Sequence, residues 1–243
     1  MFKRFTSICI AIALTQTAHA FDLGAMVNAG KDLTTAATLS DSDTKKLASE
    51  ASVHYDKDNS VAPVSNPYAK RLAKLTRGMK TENGLKLNIK VYLVQDINAF
   101  AMADGTVRVF SGLMDKMTDD EVRYVIGHEI GHVSLGHSKK ALQTAYVTSA
   151  ARKAGGATGN GLVALTDSAL GDLTEKLVHA QFSQSQESDA DQFALKLMKA
   201  NRYDPKAAVT ALRKLESMYG NDKSMFSSHP APGDRATDLE KQI

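Results

Sequence analysis

Residues 128–132 have the sequence His-Glu-Ile-Gly-His, which fits the pattern H-E-x-x-H. On a helix, His128 and His132 are one turn apart and project from the same face, so that both imidazoles can bind one Zn²⁺ ion. Glu129 lies beside them and can accept a proton from a water molecule that the ion activates. These residue types at this spacing therefore predict metal-assisted hydrolysis.

Such a pentapeptide also occurs by chance in helices without a metal, but its surroundings favour a metal site. Few residues between Val122 and Leu135 are polar, which indicates a buried helix. A buried carboxylate beside two imidazoles is unfavourable unless a cation compensates it. Gly127 and Gly131 each disfavour the helix by ~1 kcal/mol, so we expect another backbone to pack closely against them. Thr118 and Glu121 form a capping-box pattern, which predicts that the helix begins there.

The amino-terminal sequence has the features of a secretory signal peptide over residues 1–20. Two basic residues are followed by an apolar stretch around Ile8–Leu14 and by Ala-His-Ala before Phe21. A membrane anchor is the alternative, but the stretch is shorter than the ~20 residues that a spanning helix needs. The only cysteine, Cys9, lies within this segment, so we expect an exported, periplasmic protein without disulfides and without a lipid anchor.

The rest of the chain fits one domain over residues 40–243, preceded by a weakly patterned arm over residues 21–39. The near balance of 30 basic and 27 acidic residues indicates no strongly charged partner. A basic stripe follows Asn66-Pro67, but without interleaved aromatic residues it predicts a solvated helix face and no nucleic-acid partner.

The secondary-structure pattern predicts an α+β fold that is mainly helical, with a small sheet before the H-E-x-x-H helix. Residues 86–94 alternate as a half-buried strand, and Asp104-Gly105 predicts the turn of a hairpin. The other helices are expected at residues 40–55, 66–79, 170–201 and 205–219. Residues 155–161 are rich in glycine, and the sequence does not distinguish a mobile flap from an ordinary surface loop.

A catalytic zinc site normally has three protein ligands, so the third must come from another segment. His137 follows His132 too closely for the metzincin pattern, and we interpret it as a helix-end residue at which a positive charge is favourable. Glu187 is the better candidate, because Glu187 and Asp191 share a helix face and Asp191 can accept a hydrogen bond from a liganding imidazole. The ordinary alternative is that Glu187 and Asp191 are solvated surface residues.

Three blocks resemble the M48 family of zinc peptidases in order and spacing. They are the H-E-x-x-H block, Phe-Ser-Gln-Ser-Gln-Glu-Ser-Asp-Ala-Asp at residues 182–191 and Ser-His-Pro-Ala-Pro-Gly-Asp-Arg at residues 228–235. The resemblance runs from about residue 39 to residue 243 and implies a zincin fold of the gluzincin type. It also implies three zinc ligands (His128, His132 and Glu187), a general base (Glu129), a supporting residue behind the ligands (Asp191) and a transition-state partner (His229). Arg235, at the end of the third block, can orient the loop that carries His229 or bind substrate, and a structural salt bridge is the ordinary alternative.

The resemblance and the signal peptide together imply a zinc endopeptidase of the cell envelope. We expect one Zn²⁺ per chain and unfolded proteins or peptides as substrates, and a peripheral association with the outer membrane or with envelope proteins is left open. The alternative is an envelope chaperone or assembly factor whose zinc site is occluded. An intact Glu129 argues against this alternative, because a purely structural zinc ion needs no base.

Overall fold

The computed structural model of the chain describes residues 39–79, 81–82, 84–148, 167–220, 229 and 231–243. The predicted signal peptide, the arm up to residue 38, the glycine-rich segment 155–161 and Pro230 lie outside the described residues. Among the residues described, no helix has both the length and the apolar character needed to cross a membrane.

The described residues form nine helices and five short strands. The helices are α1 (Asp41–Asp58), α2 (Pro67–Leu75), α3 (Ser111–Lys116), α4 (Asp119–Ser134), α5 (His137–Thr148), α6 (Asp167–Val178), α7 (Gln184–Ala200), α8 (Lys206–Tyr219) and α9 (Pro232–Glu240). The strands are β1 (Thr81–Glu82), β2 (Leu85–Lys86), β3 (Asn88–Tyr92), β4 (Ala99–Ala101) and β5 (Thr106–Phe110). The predicted α+β, mainly helical architecture is confirmed.

A three-stranded sheet in the order β3–β5–β4 lies before α4 in the chain. Strands β3 and β5 are parallel, and β4 pairs antiparallel with β5 across the predicted turn at Asp104-Gly105. Gly105 has a φ of +93°, and an added Cβ would lie 2.4 Å from the Lys86 carbonyl oxygen, so only glycine fits here. The turn makes β4 an edge strand of the sheet.

The sheet separates two hydrophobic clusters, each covered by helices. On one face, Val91, Val107 and Val109 pack into a cluster that includes residues of α4, α7 and α8. On the other face, Tyr92 and Phe110 contact a cluster with residues of α1, α5 and α6. The half-buried strand predicted over residues 86–94 would expose Tyr92, on the face opposite Val91. This expectation is wrong, because helices cover that face as well and Tyr92 is fully buried.

An ion pair buried beneath α1 joins this helix to the sheet. Arg108 of β5 is only 1% exposed, and its Nε and Nη2 atoms lie 2.8 and 2.9 Å from the two carboxylate oxygens of Asp56 on α1. The Tyr92 hydroxyl also donates to Asp56, at 2.5 Å. A buried guanidinium needs such partners, because an unpaired charge in the interior is strongly destabilising.

Helix α4 begins as predicted and packs closely against α7. Thr118 and Glu121 form the capping box at its start. A Cβ added at Gly127 would lie 3.4 Å from Ala194 Cα, and one added at Gly131 would lie 3.2 Å from Ala190 Cα. The expectation that another backbone packs against these glycines is confirmed, and that backbone belongs to the helix that carries Glu187.

The predicted continuous helix over residues 170–201 is wrong, since the chain forms two helices with a break between Val178 and Gln184. Ser183 caps the second helix, α7, through a capping box with Gln186. A serine followed three residues later by glutamine is a start signal for a helix, and the sequence interpretation overlooked it. The break places Glu187 in the first turn of α7 instead of in a helix interior.

Candidate metal centre and active site

The two histidines of the H-E-x-x-H block point at each other from consecutive turns of α4. Both rings are buried, and His128 Nε2 lies 3.0 Å from His132 Nε2. Two neutral imidazole nitrogens at this distance each present a lone pair unless one carries a proton or a cation lies between them. Their arrangement therefore fits a shared metal ion.

Glu187 reaches the same point from the first turn of α7. Its Oε1 lies 3.3 Å from His132 Nε2, and its Oε2 lies 3.5 Å from His128 Nε2. Glu187 is fully buried, and its Oε2 atom accepts no hydrogen bond. Arg235 Nη1 lies 2.6 Å from Oε2 and forms an ion pair with it, but not in hydrogen-bond geometry. A buried carboxylate oxygen without a donor is unusual, and it is the kind of atom that a metal ion would satisfy.

The separations between these ligand atoms suit zinc. Tetrahedral zinc with ligands at ~2.0–2.2 Å requires neighbouring ligand atoms to lie about 3.3–3.6 Å apart. The two histidine Nε2 atoms lie 3.0 Å apart, somewhat closer than this, and the two oxygens of Glu187 lie 3.3 Å from His132 Nε2 and 3.5 Å from His128 Nε2. Two imidazoles and one carboxylate also form a donor set that zinc accepts readily. The residues present therefore fit the predicted ion.

Asp191 lies behind His128, one helical turn after Glu187. Its Oδ1 lies 2.8 Å from His128 Nδ1, so that the other ring nitrogen, Nε2, faces the ligand cluster. Arg235 of α9 holds Asp191 at both oxygens, with Nε 2.8 Å from Oδ2 and Nη2 2.6 Å from Oδ1. The structure thus places Asp191 behind His128 and Arg235 behind Asp191.

Tyr124, which the sequence analysis did not single out, completes this support. Its hydroxyl donates to Asp191 Oδ1 at 2.6 Å. Tyr124 lies on α4 one turn before His128, and the i, i+4 spacing to a ligand was the signal that could have revealed it. Burial is the main reason that the pKa of Tyr124 is raised, so that the hydroxyl stays protonated and donates.

His229 lies closer to the ligands than a transition-state partner requires. Its Nδ1 is 3.0 Å from Glu187 Oε1 and 3.3 Å from His128 Nε2, and its Nε2 is 3.3 Å from Glu129 Oε1. One ligand atom from each of four residues, His229 included, falls within 4.8 Å of the others. His229 is therefore placed either to act on the substrate or to supply a fourth ligand.

Glu129 lies at the edge of the cluster and is the residue of the motif left free for proton transfer. It is buried, and burial raises the pKa of its carboxyl group above the ordinary value. A raised pKa makes a carboxylate a better base near neutral pH. Glu129 also lines a pocket that opens beside the ligands. The lining residues are Asn98, Ala99, Leu113, Tyr124, Val125, His128, Glu129, Leu212, Leu215, His229 and Arg235.

The two histidine ligands differ in their proton affinity. Burial lowers the pKa of His132 to about 2, which leaves a neutral imidazole with a free lone pair. Burial and Arg235 also act to lower the pKa of His128, but the nearby carboxylates of Asp191 and Glu187 outweigh them and raise it to about 9. A metal binds only the neutral imidazole, so the site as a whole favours a metal more as the pH rises.

The structure corrects the interpretation of His137. It is the first residue of α5, and a positive charge is not favoured at a helix amino terminus. Burial lowers the pKa of His137, so the ring is neutral. Its Nδ1 lies 3.1 Å from His132 Nδ1. Phe182 also contacts this region and stacks on the His132 ring, with ring centroids 3.8 Å apart. No spacing rule along the chain reveals either contact.

The sequence profile of Peptidase family M48 matches residues 67–243. The chain belongs to this family. It is 41% identical to the metalloprotease LoiP of Escherichia coli (strain K12) over 98% of this chain and 94% of LoiP. It is 40% identical to the metalloprotease YcaL of the same organism over 98% of this chain and 97% of YcaL. The M48 assignment, which the three sequence blocks predicted, is confirmed.

A more distant M48 relative is the beta-barrel assembly-enhancing protease of Yersinia pestis. It is 27% identical over 91% of this chain, and the match covers 46% of that protein. The family and its named metalloproteases make this protein a metalloendopeptidase. Peptides or proteins are accordingly its substrates, and the buried cluster around Glu187 is its candidate metal site.

Proposed function

We propose that this protein is an exported zinc endopeptidase of the cell envelope that cleaves unfolded proteins, with Glu129 as general base. The observation that carries the proposal is the position of Glu129. Its carboxylate lies beside the His128–His132–Glu187 cluster, lines the adjoining pocket and is not needed as a ligand. A zinc ion with a purely structural role needs no buried carboxylate beside its ligands.

Different side chains have different roles in the proposed hydrolysis. His128, His132 and Glu187 would hold zinc, which when bound supplies Lewis acidity that activates water and polarises a carbonyl group. The Glu129 carboxylate accepts the proton of the attacking water and then gives it to the leaving amine. His229 donates a hydrogen bond from Nε2 to the oxygen on which negative charge develops.

Asp191, Tyr124 and Arg235 keep the ligands in place during the reaction. Asp191 accepts a hydrogen bond from the Nδ1–H group of His128, which fixes the tautomer that presents Nε2 to the metal. Tyr124 and Arg235 in turn fix the Asp191 carboxylate. We interpret Arg235 as an internal support for Asp191 and Glu187, since its side chain is only 11% exposed and forms ion pairs with both carboxylates.

The edge strand β4 offers a backbone to which an extended peptide can add. Ala99 and Ala101 direct their backbone groups away from β5, as the β4–β5 register and the Phe110 to Asn98 hydrogen bond require. The Asn98 side chain accepts from the Ala99 amide, and the Ser138 hydroxyl donates to the Ala101 carbonyl. In the part of the chain that the structure describes, the Ala99 carbonyl and the Ala101 amide have no partner, so they can pair with a substrate.

The pocket beside Glu129 supports a preference for unfolded segments. Its wall is mostly apolar, with Leu212 and Leu215 of α8 and Leu113 of α3 among its residues. Folded proteins bury most of their large aliphatic side chains, and their backbone groups are already paired. A site that needs both a free backbone and an apolar side chain therefore selects chains that have lost their fold.

The amino-terminal sequence supports an envelope location. Ala-His-Ala at residues 18–20 follows an apolar stretch of signal-peptide length. One relative is named for enhancing the assembly of beta-barrels, which are structures of outer membranes. Cell fractionation and amino-terminal sequencing of the purified protein test the location, and we expect a periplasmic protein that begins at Phe21.

Cleavage of unfolded casein by the Glu129→Gln variant tests the mechanism. Glutamine keeps the shape of the side chain but cannot accept the proton, so we expect zinc binding to be retained and cleavage to be lost. Zinc content by mass spectrometry is the control for an intact site. Wild-type cleavage rates in the variant would refute the mechanism. If the variant lost casein cleavage but still carried out the protein's function in cells, the chaperone alternative would be favoured.

A further inference from the structure

His137 contacts the ligand His132 on the side that faces away from the metal cluster. Its Nδ1 lies 3.1 Å from His132 Nδ1, within hydrogen-bond distance. The other ring nitrogen of His132, Nε2, lies 3.3 Å from Glu187 and 3.0 Å from His128, and therefore faces the cluster. The two nitrogens of His132 thus have separate partners.

This orientation determines which ring donates the hydrogen bond. An imidazole that binds a metal through Nε2 carries its proton on Nδ1. His132 therefore donates, and His137 accepts with an unprotonated Nδ1. Metal-binding histidines generally donate this second N–H to a fixed acceptor, which sets the ring orientation and raises the basicity of the ligand nitrogen.

We propose that His137 is a positioning residue that orients His132 for metal binding by accepting a hydrogen bond from its Nδ1–H. It does for His132 what Asp191 does for His128, whose Nδ1 lies 2.8 Å from Asp191 Oδ1. Each histidine ligand then has its own acceptor on the side away from the cluster. The inference rests on the proposed metal site.

The turn at Gly136, between α4 and α5, makes this contact possible. On a continuous helix, residues five apart are about 140° apart around the axis, so residue 137 would point away from His132. Helix α4 ends at Ser134, and Gly136 adopts a φ of +79°, a conformation that glycine adopts readily. The next helix starts at His137, and this turn brings the side chain back to His132.

Phe182 packs against the face of the His132 ring. The two rings stack with centroids 3.8 Å apart and an interplanar angle of 22°. The His137 ring lies at 62° to that of His132, with centroids 5.2 Å apart, so its nitrogen meets the edge of the His132 ring. Stacking restricts tilting of His132, and the hydrogen bond to His137 restricts its rotation about the ring axis.

A matched pair of substitutions separates the hydrogen bond from simple packing. In His137→Asn, the amide oxygen can take the place of Nδ1 as a hydrogen-bond acceptor. In His137→Leu, the leucine side chain has nearly the same shape as that of asparagine but no acceptor. We expect His137→Leu to weaken Zn²⁺ affinity by roughly 10- to 100-fold, the usual effect of losing such a partner. His137→Asn should restore most of that loss. His179→Leu, at an exposed position outside the site, is the control.

The readouts are Zn²⁺ affinity by competition with a chromogenic chelator and the visible spectrum of the Co²⁺-substituted protein. A changed ligand orientation alters the Co²⁺ bands in His137→Leu but not in the control. Wild-type affinity in His137→Leu, or equal losses in both His137 variants, would overturn the inference and leave the proposed function standing. A wild-type protein that binds no zinc would overturn both.

Discussion

The close contact between α4 and α7 predicts that the same substitution has different effects at two glycines one turn apart. At Gly127, an added Cβ meets Ala194 Cα and Cβ at 3.4 Å, an ordinary contact distance. At Gly131, it meets Ala190 Cα and carbonyl oxygen at 3.2 Å and Phe193 Cβ at 3.1 Å. Backbone atoms of a packed helix cannot swing aside, so Gly131→Ala must push α7 away from α4.

The expected magnitudes follow from two opposing contributions. Alanine is favoured over glycine in a helix interior by ~1 kcal/mol. Gly127→Ala should keep most of this gain. For Gly131→Ala, overpacking costs about 1–3 kcal/mol, so the net effect lies between neutral and ~2 kcal/mol destabilising. The melting temperatures of the two variants should then differ by roughly 3–10 °C for a domain of this size.

The displacement should also reach the metal site. Ala190 is adjacent to Asp191 and lies less than one helical turn from Glu187, so moving α7 moves both relative to the histidines of α4. We expect Gly131→Ala to bind Zn²⁺ more weakly than Gly127→Ala.

Thermal unfolding with and without chelator, together with zinc competition, measures both effects. The reasoning would be refuted if Gly131→Ala were as stable as Gly127→Ala and bound zinc equally well.

Other outcomes follow from the described contacts. Asp56→Ala should lower the free energy of unfolding by about 3 kcal/mol, because it leaves the buried Arg108 unpaired, whereas Lys90→Ala, at the half-exposed side of the same carboxylate, should cost less than ~1 kcal/mol in urea titrations. The acid limb of kcat/KM should lie above the ordinary glutamate value of 4.5, because Glu129 must be ionised to act and burial raises its pKa; a limb at or below 4.5 would contradict this assignment. Chelation should abolish casein cleavage and lower the melting temperature, and added Zn²⁺ should restore both. In peptide assays, His229→Ala should reduce kcat while zinc affinity is retained, and a lost affinity would instead indicate a fourth ligand.

Local signals in the sequence predicted the elements that contain them. Thr118 and Glu121 mark the start of α4, Asp104-Gly105 forms the hairpin turn, and Gly127 and Gly131 indicate the close approach of a second helix. Each of these predictions depends on residues within one turn or one strand. Their physical cause, a cap or the lack of a side chain, is already present in the local sequence.

Contacts between distant segments were predicted less well. Alternation alone assigned Tyr92 to a solvated face, because a strand covered on both faces has no outward side to reveal. His137 was interpreted as a helix-end residue from its distance to His132 along the chain. The turn at Gly136 made that distance misleading. The set of ligands and supporting residues came from the resemblance to a family, since spacing alone left Glu187 and Asp191 as surface candidates.

The two histidines of the H-E-x-x-H block, Glu187 and Arg235 come from three helices, α4, α7 and α9, that meet only in the folded chain. A nascent chain in extended form contains every one of these residues but has no ligand cluster, so it cannot hydrolyse itself or its neighbours before folding. The same dependence operates in reverse under stress. A molecule that unfolds loses its ligand cluster and its activity together. Under the proposed function it also becomes a substrate for intact copies, so damaged molecules are removed from the population of active enzyme.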